Sequence, residues 1–175
     1  DKYNKELLDN VRPSDYTNPT PATRYNLVVI GAGTAGLITA AAASGLGAKV
    51  AFIERNLMGG DCLNIGCVPS KAVIRAAHAV ADMKNADRFG VSAKEIDVDF
   101  GKAMEWMRKI RSGISHHDSV ERFSNLGIDV FQGQASFKDS STVVVGDTEL
   151  RFKKAVICSG AVSYTHLRAH ETIAN

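Results

Sequence analysis

The chain is short of the features that mark several protein classes. Its 175 residues include only three cysteines and four prolines. Three cysteines in a chain this long do not make the disulfide framework of a small secreted domain. Lys and Arg total 21 against 19 for Asp and Glu, leaving a net charge of +2. With no basic block, nothing points to a nucleic-acid surface. No apolar run reaches the ~18–20 residues that span a bilayer. There is no internal repeat and no visible signal peptide, although the first residue is Asp1 rather than Met, which leaves a cleaved segment open. These absences lead us to expect a cytoplasmic protein that handles small molecules, with no nucleic-acid or membrane partner.

What is present suits one globular unit. Hydrophobic residues make up 45% of the chain, enough to bury a core. Residues 1–24 are polar, carry Pro13, Pro19 and Pro21, and read as a leader or arm with at most a short helix over 5–11. YNLVVI (25–30) is a short apolar, β-rich run that stops at glycine, as a buried strand does. GAGTAGLITAAAASGLG follows as a Gly-rich turn and an Ala-rich helix, and AKVAFIE (48–54) is a second buried strand. That succession is the βαβ unit of a parallel sheet.

Further on, Pro69 is expected to open a helix, with Val73, Ala76, Ala77 and Val80 as its buried stripe. A long helical pattern covers 100–126, its inner side marked by Met104, Met107, Ile110, Ile114, Phe123 and Leu126. Strands are expected at IDVFQ, STVVV, ELRF and KAVICSG. The chain thus divides into a polar leader (1–24), a main domain (25–161) and a tail (162–175). The run VSYTHLRAHET in that tail matches a transposase-type sequencing adapter translated in one frame, so we set 162–175 apart as non-native. His166 and His170 with Glu171 show a zinc-like spacing but fall inside that tail, and no metal site is expected.

Gly31, Gly33 and Gly36 form G-x-G-x-x-G between the first strand and its helix. In such a turn the first glycine makes the bend, the second lets backbone approach a pyrophosphate, and the third lets helix pack on strand. The helix N-terminus offers free N–H groups to phosphates through Thr34 and Ala35. Glu54, ending the second strand with Arg55 behind it, stands where a carboxylate accepts from ribose hydroxyls. This points to a dinucleotide. Spacing alone does not choose between NAD and FAD.

The other two-residue signal is Cys62 and Cys67 in GGDCLNIGCVPSK (59–71). Residues five apart in a regular helix have Cα atoms roughly 8–9 Å apart, whereas a disulfide needs about 4.4–6.8 Å. If the two bridge, the segment between them is not regular helix, and Asn64 and Gly66 are turn-tolerant residues suited to the break. A bridge closing so short a loop gains little loop entropy, so a purely structural role is poorly motivated. No second Cys or His pair completes a zinc site. A redox pair is the favoured reading, with metal ligands and inert thiols as the alternatives. Cys67 near a helix start, with Lys71 four residues on, favours a thiolate there. Cys158 reads as a small buried hydrophobe. His78, His116 and His117 read as surface or packing residues.

With these motifs in this order, 25–161 resembles the class I pyridine nucleotide–disulfide oxidoreductases, which include dihydrolipoamide dehydrogenase, glutathione reductase and mercuric reductase. GCVPSKAVIRAAHAV is most similar to the mercuric reductase-like members. The resemblance implies an α/β fold: a Rossmann-like FAD-binding domain with a parallel sheet and a small antiparallel β element. It implies FAD at the Gly-rich turn and NAD(P)H as co-substrate in a further domain. It implies that Cys67 lies against the flavin, that Cys62 exchanges with a small-molecule disulfide or metal-ion substrate, and that Lys71 lies near the reactive flavin nitrogen. Gly60 and Asp61 would approach the phosphates. Many relatives have Thr at the place of Asp61. Later contacts map onto Ala135, Ser159 and Gly160. Members of this family continue into NAD(P) and dimer-interface domains and act as homodimers, so the chain is expected to be an N-terminal piece, inactive alone. A plain NAD-dependent dehydrogenase and a noncatalytic nucleotide-binding or redox-sensing module are the competing readings.

Overall fold

A computed structural model describes residues 1–92 and 95–160. The chain runs α1 (Lys2–Val11), β1 (Tyr25–Ile30), α2 (Thr34–Gly45), β2 (Val50–Glu54), α3 (Gly60–Asn64), α4 (Cys67–Lys84), α5 (Phe100–Ser115), α6 (Val120–Asn125), β3 (Asp129–Gln132), β4 (Ala135–Asp139), β5 (Thr142–Val145) and β6 (Thr148–Ile157). The six strands form one sheet in the order β3-β2-β1-β6-β5-β4. β3, β2, β1 and β6 run parallel, while β4, β5 and β6 pair antiparallel. This is the expected parallel sheet with a small antiparallel element.

Strand alternation divides the core into two faces. Val29, Val50, Phe52 and Val130 point to the helical side, where they meet Leu37 and Ala40 of α2, Val120 and Phe123 of α6, and Leu7 and Val11 of α1. Val28, Ala51, Ile53 and Phe131 point the other way, toward Val143, Val145, Leu150 and Phe152. Both faces of β1 and β2 are therefore buried, which is why each reads as a continuous apolar run.

Several expectations about elements are corrected. ELRF and KAVICSG belong to one strand, β6. Its first half bonds β5 and its second half bonds β1. The exposed Lys153 and Lys154 sit at the changeover and imitate a break. The helical pattern of 100–126 is two helices, because a 3-10 turn at His116–Asp118 ends α5 and Ser119 caps α6 through the Arg122 N–H at 3.1 Å. Of its expected inner side, Ile114 and Leu126 are exposed. On α4, Val73 and Ala77 are also exposed; Ala72 is the buried residue, because the helix is covered along one side only, chiefly by α5. Pro69 is the third residue of α4, not the first. The position still costs no hydrogen bond, since the opening N–H groups of a helix have no intrahelical partner. β4 went unread because most of it is exposed.

Residues 1–24 are a docked segment. Asp1 caps α1 through the Asn4 N–H at 2.8 Å. Leu7 and Val11 are buried. The Tyr16 hydroxyl donates to the Val130 carbonyl at 2.9 Å, and Asn18 exchanges two hydrogen bonds with the Gln132 backbone. Among the described residues no helix is long and apolar enough to cross a membrane. The expected tail, with His166, His170 and Glu171, lies outside the described residues.

Candidate functional site

The C-terminal ends of β1, β2 and β6 open onto one cleft of about 460 Å³. Parallel α/β sheets place their ligands at this edge. Gly31 turns the chain there with φ +102°, and its N–H donates to the Ile53 carbonyl at 2.8 Å. A Cβ on Gly36 would lie 1.8 Å from the Gly31 carbonyl oxygen and 3.2 Å from the Phe52 ring. Only glycine lets α2 start this close to the sheet. The free first-turn amides of α2 face this edge, and Gly33, Thr34 and Ala35 line the cleft.

Gly60 meets this turn from across the cleft. Its φ is +54°, and a Cβ there would stand 2.6 Å from the Gly33 Cα. The Gly-rich turn and the start of the cysteine segment are thus in backbone contact. They leave a bare main-chain cradle suited to a pyrophosphate.

Glu54 is held rather than free. One carboxylate oxygen accepts from the Ala32 N–H at 2.6 Å and the other from the Asn56 N–H at 2.7 Å. Each oxygen keeps a lone pair for a ligand hydroxyl. Arg12 supports the loop that follows, donating to the Arg55 and Asn56 carbonyls at 2.8 and 2.6 Å. Arg55, Gly60, Asp61, Cys62, Ala135, Ser159 and Gly160 also line the cleft. Cys158 is on the same wall rather than sealed in the core, and burial raises its thiol pKa above the ordinary value. Gly36 lies beneath the surface. Cys67 at the start of α4 and Lys71 one turn on are exposed and do not line the cleft.

The bend between the cysteines takes the irregular form a close pair requires. α3 ends at Asn64, and the Ile65 and Gly66 N–H groups both donate to the Asp61 carbonyl, at 3.0 and 2.6 Å. α4 then starts at Cys67 itself, which puts Cys67 and Lys71 at i and i+4 on one face. Both cysteines are free thiols. The pKa of Cys62 is raised first by its hydrogen bond to Cys67 and then by burial, while the Thr34 hydroxyl and, more weakly, the Lys71 cation pull it down.

A second hollow of about 330 Å³ lies beside the first. Thr34 and Cys62 line both. Leu37, Ile38 and Val68 make its wall largely apolar, and Asp118 and Arg122 supply charge. Burial raises the Asp118 pKa, with Arg122 and then His117 opposing it. Sequence reasoning missed this hollow, and it missed Asn56, Leu57, Ile65 and Gln134 on the first cleft. Those residues line it largely through loop position, which leaves no pattern. It read Asn64 as a turn residue only. Its amide in fact donates to the Met58 and Gly60 carbonyls at 3.1 and 2.8 Å and fixes the start of the loop.

Comparison with known proteins agrees with this geometry. A family profile described as pyridine nucleotide-disulphide oxidoreductase matches residues 25–171. The chain is 38% identical over 142 residues to a dihydrolipoyl dehydrogenase of Bacillus subtilis, covering 77% of this chain and 29% of that protein. It is 35% identical over 137 residues to a mercuric reductase of Lysinibacillus sphaericus, covering 78% and 25%. Among solved structures it is similar to the flavoprotein disulfide reductase RclA from Escherichia coli. The Cu(II) complex of that protein superposes with a TM-score of 0.60 at 29% identity, over 78% of this chain and 28% of that one. The chain thus spans under a third of the length of these relatives. Profile, relatives and fold converge with the Gly-rich turn and the cysteine pair: the chain belongs to the pyridine nucleotide-disulphide oxidoreductase family.

Proposed function

We propose that this chain is the FAD-binding part of a larger NAD(P)H-dependent reductase whose Cys62–Cys67 pair passes electrons to a disulfide or metal-ion substrate. The observation that carries the reading is that Cys62 lines two hollows at once, with Cys67 opening the next helix five residues on. A redox pair between cofactor and substrate needs that placement.

The cleft fits FAD in its chemistry. The contact of Gly33 with Gly60 leaves backbone amides for the phosphates, and Glu54 is pre-set for ribose hydroxyls. When bound, FAD supplies the two-electron link between NAD(P)H and the cysteine disulfide. The remaining steps belong to the chain. We assign Cys67, at the α4 N-terminus with Lys71 one turn on, to the cofactor side by resemblance to the family; in the structure it is Cys62 that lines the cleft. Cys62 attacks the substrate. For a disulfide, the Cys62 sulfur bonds one substrate sulfur and expels the other as a thiolate. Cys67 then attacks Cys62, releasing the second thiol and closing the internal disulfide. Asp61, acidic beside the phosphate cradle, has no structural explanation here.

The full-length enzyme is read as a homodimer, with residues 162–175 of this chain foreign to it. The test is FAD titration of the purified chain. Bound FAD seen by its visible flavin absorbance, with a long-wavelength band on reduction that Cys67→Ser abolishes, is the expected result. Binding of NAD with no FAD uptake would refute the reading in favour of a plain dehydrogenase. FAD uptake without the band would favour a noncatalytic module.

A further inference from the structure

We propose that Arg111 is a positioning residue for the Cys62–Cys67 pair, clamping the loop between the two cysteines to the N-terminal helix α1. The inference rests on the redox-pair reading above.

The distance between the two sulfurs is set by the bend Asn64–Ile65–Gly66, because each cysteine is carried on a different helix. Asn64 is 8% exposed. Its side-chain amide ties the loop backward to Met58 and Gly60. Its main-chain carbonyl, at the free C-terminus of α3, accepts from an Arg111 Nη at 2.9 Å. The other Nη of Arg111 donates to the Asn4 side-chain oxygen on α1 at 2.7 Å. Asn4 is in turn bonded to Asp1 through its N–H, and Asp1 pairs with Arg108 at 3.0 Å. One guanidinium on α5 thus joins two segments that are 47 and 107 residues distant from it along the chain. Its planar fork can serve two acceptors in different directions, which a lysine ammonium on a flexible stem does less well.

The family match begins at residue 25, so α1 lies outside it. A plain helix-to-helix tie already exists, since the Asn10 amide donates to the Ser115 hydroxyl at 2.8 Å without touching the cysteine loop. The contact of Arg111 with Asn64 does something different: it narrows the range of positions open to the bend. A narrower range raises the effective concentration of each sulfur for the other and so favours closure.

The test is a glutathione redox titration of the full chain. The equilibrium is disulfide plus two glutathione thiols giving dithiol plus glutathione disulfide. The state of the pair is read by alkylation and mass of the tryptic peptide 56–71, with thermal stability recorded alongside. Arg111→Met is expected to favour the dithiol by about fivefold to tenfold, with Arg111→Lys recovering part of the loss. Asn10→Ala lowers thermal stability but leaves the equilibrium within about twofold of wild type. Asn4→Ala, which removes only the anchor on α1, is expected to shift it by about threefold and serves if Arg111→Met fails to fold. An unchanged equilibrium in Asn4→Ala and Arg111→Met, or an equal shift in Asn10→Ala, would overturn the assignment. A wild-type chain in which Cys62 and Cys67 form no disulfide overturns the redox reading itself, and the role of Arg111 with it.

Discussion

At the scale of single residues, the site depends on contacts too tight for any side chain. Gly60 combines a left-handed φ of +54° with a Cβ position 2.6 Å from the Gly33 Cα. Gly60→Ala is expected to cost about 1–3 kcal/mol and to abolish FAD binding, as urea denaturation and flavin titration would report. A variant that binds FAD as wild type would show that the cradle is not where phosphate sits. The cysteines allow a sharper prediction. The hydrogen bond to Cys67 is the leading cause of the raised Cys62 pKa. Cys67→Ala removes it, so the midpoint of Cys62 alkylation is expected to move to lower pH; a midpoint that stays or rises would show that Cys67 is not the cause. These residues were legible in the sequence because their chemistry is local. Asn64 was not, because its importance lies in carbonyls supplied by Met58 and Gly60 and in an arginine 47 positions away.

At the scale of elements, α1 and α4 show where periodicity misleads. The arm reads as polar, yet α1 buries Leu7 and Val11 and sends Arg12 to the Arg55 and Asn56 carbonyls. Arg12→Ala is expected to lower stability by about 1.5 kcal/mol and to weaken nucleotide binding, since the loop after Glu54 loses its support. Unchanged affinity would show that the loop holds itself. The 3-10 turn between α5 and α6 carries Asp118, whose pKa burial raises. The fold therefore favours the protonated carboxyl. That contribution is fully present below the unfolded carboxyl value and is lost as pH rises through the raised folded value. Asp118→Asn is accordingly expected to be more stable than wild type at pH 7 and to lose that advantage in acid, as paired thermal melts would show. The apolar spacing of α4 spread its stripe over Val73 and Ala77, but the fold buries only the line through Ala72. Spacing gives the angle between residues, not which side a neighbour occupies.

At the scale of the whole molecule, the cleft is an edge property. It exists because three parallel strands, one of them β6 from the far end of the chain, finish at the same level. The chain covers under a third of its relatives' length, and the proposed NAD(P)H partner domain belongs to the remainder. We therefore expect weak FAD binding and no NAD(P)H-dependent turnover by this chain alone. Steady NADH oxidation by the purified chain would refute that division of labour.

The sequence by itself determined the βαβ unit, the glycine turn, the position of Glu54 and the presence of a close cysteine pair. Each follows from steric and chemical demands within some thirty residues. Only the tertiary structure decided that β6 is one strand serving two pairings, that the arm is docked, that Cys62 faces two hollows and that Arg111 reaches the cysteine loop. These depend on which surfaces meet after folding. Burial, and the hydrogen bonds that burial enforces, are properties of that meeting rather than of any one segment.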